Sequence, residues 1–168
     1  MAWSRLMLSA ICGTAVALAT PEVAAAATTY SDSVYGFEYS ATSTQGKFAG
    51  TAYGALPGAW AATVNHTQLS PSGTVTSGSM SLTTVLNGAS TQVDGDITGG
   101  EVVRTNPGAT GCVNQYYAVN LALEDVGPNG TGGGTGSFGG TLTHYRHSVF
   151  GTCVTYSATI SGSLALTF

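Results

Sequence analysis

Charge is what this sequence has least of. Among its 168 residues, 4 are Lys or Arg and 8 are Asp or Glu, so charged side chains make up 7% of the chain. An ordinary soluble domain carries about 25%. So few cations leave no electrostatic footprint for nucleic acid, which is bound by Lys and Arg displacing counterions. They equally exclude a basic patch for anionic lipid. Helical patterning is absent too. Beyond residue 27 no stretch repeats apolar residues at three- and four-residue spacing, and Gly interrupts every segment. Catalytic signatures are just as sparse. That region holds no G-x-S-x-G nucleophile elbow, no CxxC pair and no glycine-rich phosphate loop with a lysine. No metal and no cofactor is expected.

The first residues carry the pattern of a secretory leader. Arg5 supplies the positive start, Leu6 to Thr20 form an apolar run, Pro21 ends it, and Ala24 to Ala27 offer small-residue cleavage sites. The run is shorter than the roughly 20 residues a membrane span needs. Residues 1–27 are therefore expected to be a cleaved signal peptide, with residues 28–168 forming a single all-β domain of about 140 residues. The expected location is extracellular, with the outer membrane or cell surface as the alternative.

Export gives the cysteines their meaning. Cys12 falls in the leader, which leaves Cys112 and Cys153 as an even pair, most simply a disulfide in an oxidising compartment.

From Val154 to Phe168 the chain alternates. Val154, Tyr156, Ala158, Ile160, Leu164, Leu166 and Phe168 share one parity, while Thr155, Ser157, Thr159, Ser161, Ser163 and Thr167 share the other. Successive side chains on a strand point to opposite faces, so this is one long strand, apolar on one side and hydroxylic on the other. Similar strands are expected over Val34–Thr42, Lys47–Leu56, Ala59–Thr67, Val75–Leu86, Thr91–Arg104, Val113–Leu123 and Ser137–Val149. Asn87-Gly88 marks a tight turn, and Gly127 to Gly136 a glycine-rich loop. About eight antiparallel strands with one apolar face must bury it in a closed barrel or against a second sheet. The inward glycines, including Gly50, Gly140 and Gly162, suit strongly coiled barrel walls. A calyx-like antiparallel barrel is expected, with a β-sandwich as the alternative.

The apolar parities place Phe37, Tyr39, Trp60, Val64, Met80, Leu82, Tyr117, Leu142 and Tyr156 in the interior, and Glu38 outside. Polar chemistry is densest at Thr143-His144-Tyr145-Arg146-His147. Phe138, Gly140 and Leu142 set the inward parity there, so His144 and Arg146 point to the interior or its rim. An inward Arg beside a His can anchor an anionic or carbonyl-bearing ligand. The bland reading is that this strand end is solvated, or that Arg146 pairs with Glu101 or Glu38. His66 shares the parity of Trp60 and Val64. Asp94 and Asp96 share an outward face, too few ligands for calcium. Asn65-His66-Thr67 and Asn129-Gly130-Thr131 match the glycosylation acceptor pattern. Gly58-Ala59-Trp60 matches the short G-x-W element of lipocalins over three residues only. Two strand-like segments precede it here, so no family is read from it.

The leading functional expectation is a secreted barrel that binds a small apolar or amphipathic ligand through His144, Arg146, His66, Trp60, Tyr39, Tyr117 and Tyr156. The partner alternative is an extracellular protein, contacted by a structural, adhesive or inhibitory module. Two further alternatives are an outer-membrane barrel and a barrel isomerase or cyclase built on His144 and Arg146.

Overall fold

A computed structural model describes residues 26–168. The expected leader, with Cys12, lies outside them except for Ala26 and Ala27. Eight strands follow one another: β1 (Thr29–Ala41), β2 (Gln45–Gly54), β3 (Gly58–His66), β4 (Ser72–Leu86), β5 (Ala89–Arg104), β6 (Gln115–Pro128), β7 (Gly134–Val149) and β8 (Thr152–Thr167). Each pairs antiparallel with the next, and β1 pairs with β8, which closes the sheet into a barrel. The fold is all-β as the alternation implied, and it is a barrel and not a sandwich. Asn87 and Gly88 both take positive φ, at 52° and 79°, in the tight β4–β5 turn. The glycine-rich loop is shorter than expected, because β6 runs on through Pro128 and β7 begins at Gly134.

Apolar parities face inward. Phe48, Trp60, Val64, Met80, Leu82, Ile97, Val119, Phe138, Leu142 and Ile160 belong to one buried cluster. The hydroxylic face of β8 is the outer wall. The end where β2 turns into β3 is plugged: Leu56, Leu82, Val93, Val126 and Leu166 are all at most 1% exposed. Asp32 is buried at this closed end, and its Oδ1 accepts the Leu56 N–H at 2.8 Å. Thr28 and Phe168 exchange backbone hydrogen bonds there, at 2.9 and 3.1 Å, which sets the two residues side by side at the closed end.

One wall is thinned by glycine. Gly36 faces Gly50 across β1–β2, and Gly140 faces Gly162 across β7–β8. A Cβ on Gly36 would lie 2.6 Å from Trp60 Cζ2, and one on Gly162 would lie 2.8 Å from Phe138 Cε2. The space these glycines leave is filled by the two rings.

That arrangement explains why β1 faces the other way from its expected parity. Tyr35, Phe37 and Tyr39 are 59%, 52% and 56% exposed, while Val34, Gly36 and Glu38 point inward. An eight-stranded barrel holds little more than its own side chains. Trp60 and Phe138 already occupy the space beside β1, so its three aromatic rings go outside. Tyr156 is corrected in the same way. A bulge falls where Tyr145 pairs with Ser157 and Arg146 with Thr155, leaving Tyr156 as the extra residue. It turns outward, 62% exposed, and packs against His147 at 4.9 Å and Tyr145 at 6.4 Å between ring centroids. In β5 Val102 faces inward and Val103 outward, after a register shift between Ile97 and Gly99.

Candidate functional site

The end of the barrel opposite the plug is open. It is ringed by the ends of β1, β3, β5 and β7, and by the loops at 42–44, 67–71, 105–114 and 150–151. Below this mouth lies a cavity of about 250 Å³. Its rim carries Glu38, His66, Gln68, Tyr117 and His144, and its floor is Phe48, Val64, Leu121, Leu142 and Ile160. Phe48, Val64, Leu121 and Ile160 also line a smaller, wholly apolar cavity of about 40 Å³ deeper in the bore, walled by Trp60 and Phe138.

Each polar group owes its position to strand register. Gln115 faces His144 and Tyr117 faces Leu142 across β6–β7, while Arg104 faces Tyr117 across β5–β6. Paired residues on an antiparallel ladder share a face, so these side chains all belong to the inner surface. The Tyr117 hydroxyl donates to Gln115 Oε1 at 3.0 Å, and its ring packs against the His144 imidazole with centroids 5.2 Å apart. From β1, Glu38 reaches across: its Oε2 lies 3.4 Å from His144 Nε2. The alignment makes no hydrogen bond, and Nε2 is buried with no partner among the described residues. Burial pushes the Tyr117 phenol above its ordinary value. Arg104 and Arg146 pull against that shift, and Glu38 adds to it. A phenol, an imidazole and a carboxylate converging on an apolar cavity can orient a polar head group or hold a proton beside it.

The expected site residues sort cleanly by position. His144, His66 and Tyr117 meet at the mouth cavity. Trp60 lines the deeper one. Its Nε1 is buried without a hydrogen-bond partner among the described residues. Arg146 stands two residues beyond His144 on the inward parity, half-buried, and its backbone N–H donates to Asn114 Oδ1 at 3.1 Å. Neither Glu38 nor Glu101 pairs with it. Tyr39 and Tyr156, expected in the interior, are on the outer wall and line neither of these cavities. Glu38, Arg104 and Gln115 were missed. Glu38 was hidden by the louder aromatic parity of its strand, and Arg104 by the register shift in β5. Position alone, at the last residue before Thr105-Asn106-Pro107, marked Arg104 as a rim residue.

The mouth is secured by its longest loop. Cys112 and Cys153 form a disulfide with 5.5 Å between Cα atoms, tying the 105–114 loop to the start of β8. Within the loop Asn106 donates to Asn114 O at 2.9 Å, and its Oδ1 accepts the Tyr116 N–H at 3.2 Å. Among the described residues no group of His, Cys, Asp and Glu is placed to hold a metal ion. In comparisons with known proteins, no family model, no curated protein and no solved structure matches this chain significantly.

Proposed function

We propose that this barrel is an exported binding protein for a small amphipathic molecule, seated at the open mouth with its apolar part pointing down the bore. The observation that carries this reading is the 250 Å³ cavity, apolar at its floor and polar at its rim, in a barrel whose other end is plugged. Binding pockets have this composition, with apolar walls and a few convergent polar groups. The inside-apolar, outside-hydroxylic arrangement and the disulfide support an aqueous, oxidising location. They oppose a membrane barrel, whose apolar band faces out.

The test is titration with the neutral fluorophore N-phenyl-1-naphthylamine. Saturable binding at one site is expected. Leu121→Trp, which fills the cavity floor, is expected to weaken it at least about tenfold, the scale of losing one well-packed contact set. Cooperative thermal unfolding would show that the variant folds. Absence of saturation, or equal binding by the variant, would refute the reading.

A second reading has its own support. Tyr35, Phe37 and Tyr39 form an exposed aromatic row on β1, and Tyr53 is exposed on the neighbouring strand. Exposed apolar rows of this kind mark interaction surfaces, which suits an extracellular contact module.

A further inference from the structure

Fixed charge is sorted along the barrel axis. Lys47, Arg104 and Arg146 are all the Lys and Arg among the described residues, and each lies on the mouth-side part of its strand. Asp32, Asp94, Asp96, Glu124 and Asp125 lie in the closed-end halves of theirs. Among the described residues only Glu38 and Glu101 break the pattern, and Glu101 is exposed on the outer wall. The barrel is therefore polarised, with its positive end at the cavity.

Two of those three cations face inward. Arg104 is the ladder partner of Tyr117, and Arg146 follows His144 by two residues on the same parity. Strand β6 lies between β5 and β7, so the arginines flank the Tyr117–Gln115 edge of the mouth. Both are half-buried. Neither has a carboxylate within 4.0 Å, the one such contact of a basic side chain with a carboxylate among the described residues being that of His144 with Glu38. Glu38 sits on β1, across the barrel from β5, and is turned to the imidazole. Neither arginine lines the cavity itself. Both stand beside its Tyr117 edge without a carboxylate partner, partly desolvated, with Arg104 Nε donating only to Asn106 Oδ1 at 3.4 Å, and so are placed to hold an anion. A half-buried arginine gains most from a carboxylate, which it can meet bidentately.

Resting on the ligand reading above, we infer that the mouth selects an amphipathic monoanion. Its carboxylate would lie on the Arg104–Arg146 edge, with a short aliphatic tail against Phe48, Val64, Leu121 and Ile160. The axial charge separation acts before contact as well, drawing anions to the open end and away from the acidic one.

Three probes with one tail separate the possibilities: octanoate, 1-octanol and octylamine, titrated calorimetrically into the full chain. Octanoate is expected to bind at least about tenfold tighter than octanol, the scale of one charge-assisted hydrogen bond. Octylamine is expected to be weakest. Arg104→Gln and Arg146→Gln should each shrink the octanoate-over-octanol preference, with circular dichroism confirming the fold. In the unaltered protein, raising salt should weaken octanoate alone. Equal binding of octanoate and octanol would overturn anion selection and leave the cavity reading standing. Tightest binding of octylamine would overturn it in favour of Glu38 as the anchor. Saturable binding by none of the three would remove both readings together.

Discussion

Replacing Cys112 and Cys153 together with serine removes the covalent link between the 105–114 loop and β8 while leaving every strand ladder in place. The two cysteines are 41 residues apart in sequence. In the chain-entropy treatment a loop of that size restrains the unfolded chain by about 4 kcal/mol. A barrel of about 140 residues unfolds with an entropy near ~0.3 kcal/mol/K, so the loss corresponds to a fall in Tm of about 13 °C. The segment between the cysteines contains β6 and β7, both paired on each side. The loop is also held by Asn106 and Asn114. The far-ultraviolet spectrum at room temperature should therefore be unchanged, and the deficit should emerge only on heating. Melts followed by circular dichroism, with and without reductant, read it directly. Each single serine variant should fall as far as the double, because either one breaks the whole bond. A double variant melting within about 3 °C of the parent would refute the reasoning, since it would mean that the bond restrains almost nothing in the unfolded ensemble.

Two further substitutions test other parts of the design. Asp32→Ala leaves the Leu56 N–H buried without its acceptor and should cost about 1–3 kcal/mol in urea unfolding. Asp32→Asn keeps an acceptor oxygen there and should cost clearly less, and equal losses would show that this bond is not what Asp32 contributes. Tyr117 has a raised pKa, chiefly from burial. The folded protein thus keeps the phenol protonated at pH values where the unfolded chain has begun to release it. Its contribution is complete below the ordinary tyrosine value of 10.0 and is lost as pH climbs from there through the folded value. Tyr117→Phe should flatten that alkaline decline in urea midpoints, and parallel declines in both proteins would contradict the assignment.

Most of the wall was legible because period-2 alternation is a direct projection of the pleat. Trp60 and Val64 on β3, Met80 and Leu82 on β4, and Ala158, Ile160 and Leu164 on β8 all face where their parity says. The failures have a common origin. Alternation tells the two faces of a strand apart, but hydrophobicity alone does not say which one is inside. On β1 the aromatic face is the more apolar, yet the bore beside it is filled by Trp60 and Phe138 lying over glycines from β1, β2, β7 and β8. That is a volume constraint from other strands, invisible in the local sequence. The bulges displaced Tyr156 and uncovered Arg104 for a different reason. One extra residue inverts every side chain beyond it, and no residue type marks where that residue falls. His144 and Arg146 were legible as inward because β7 keeps its alternation to the mouth. Their companions Glu38 and Arg104 lay on strands where it was misleading or broken.

The hydrogen bonds between Thr28 and Phe168 have a consequence for how the barrel meets its surroundings. Because residues 28 and 168 sit side by side at the plugged pole, anything joined directly to Thr28 or to Phe168 is attached on the side away from the cavity. A fusion partner, a tether or an immobilising support placed directly at residue 28 or 168 would hold the barrel upright with its mouth presented outward. The same adjacency lets residues 28 and 168 be joined by a short linker and the chain reopened at the Asn87-Gly88 turn, a circular permutation of residues 28–168 that leaves the lip untouched.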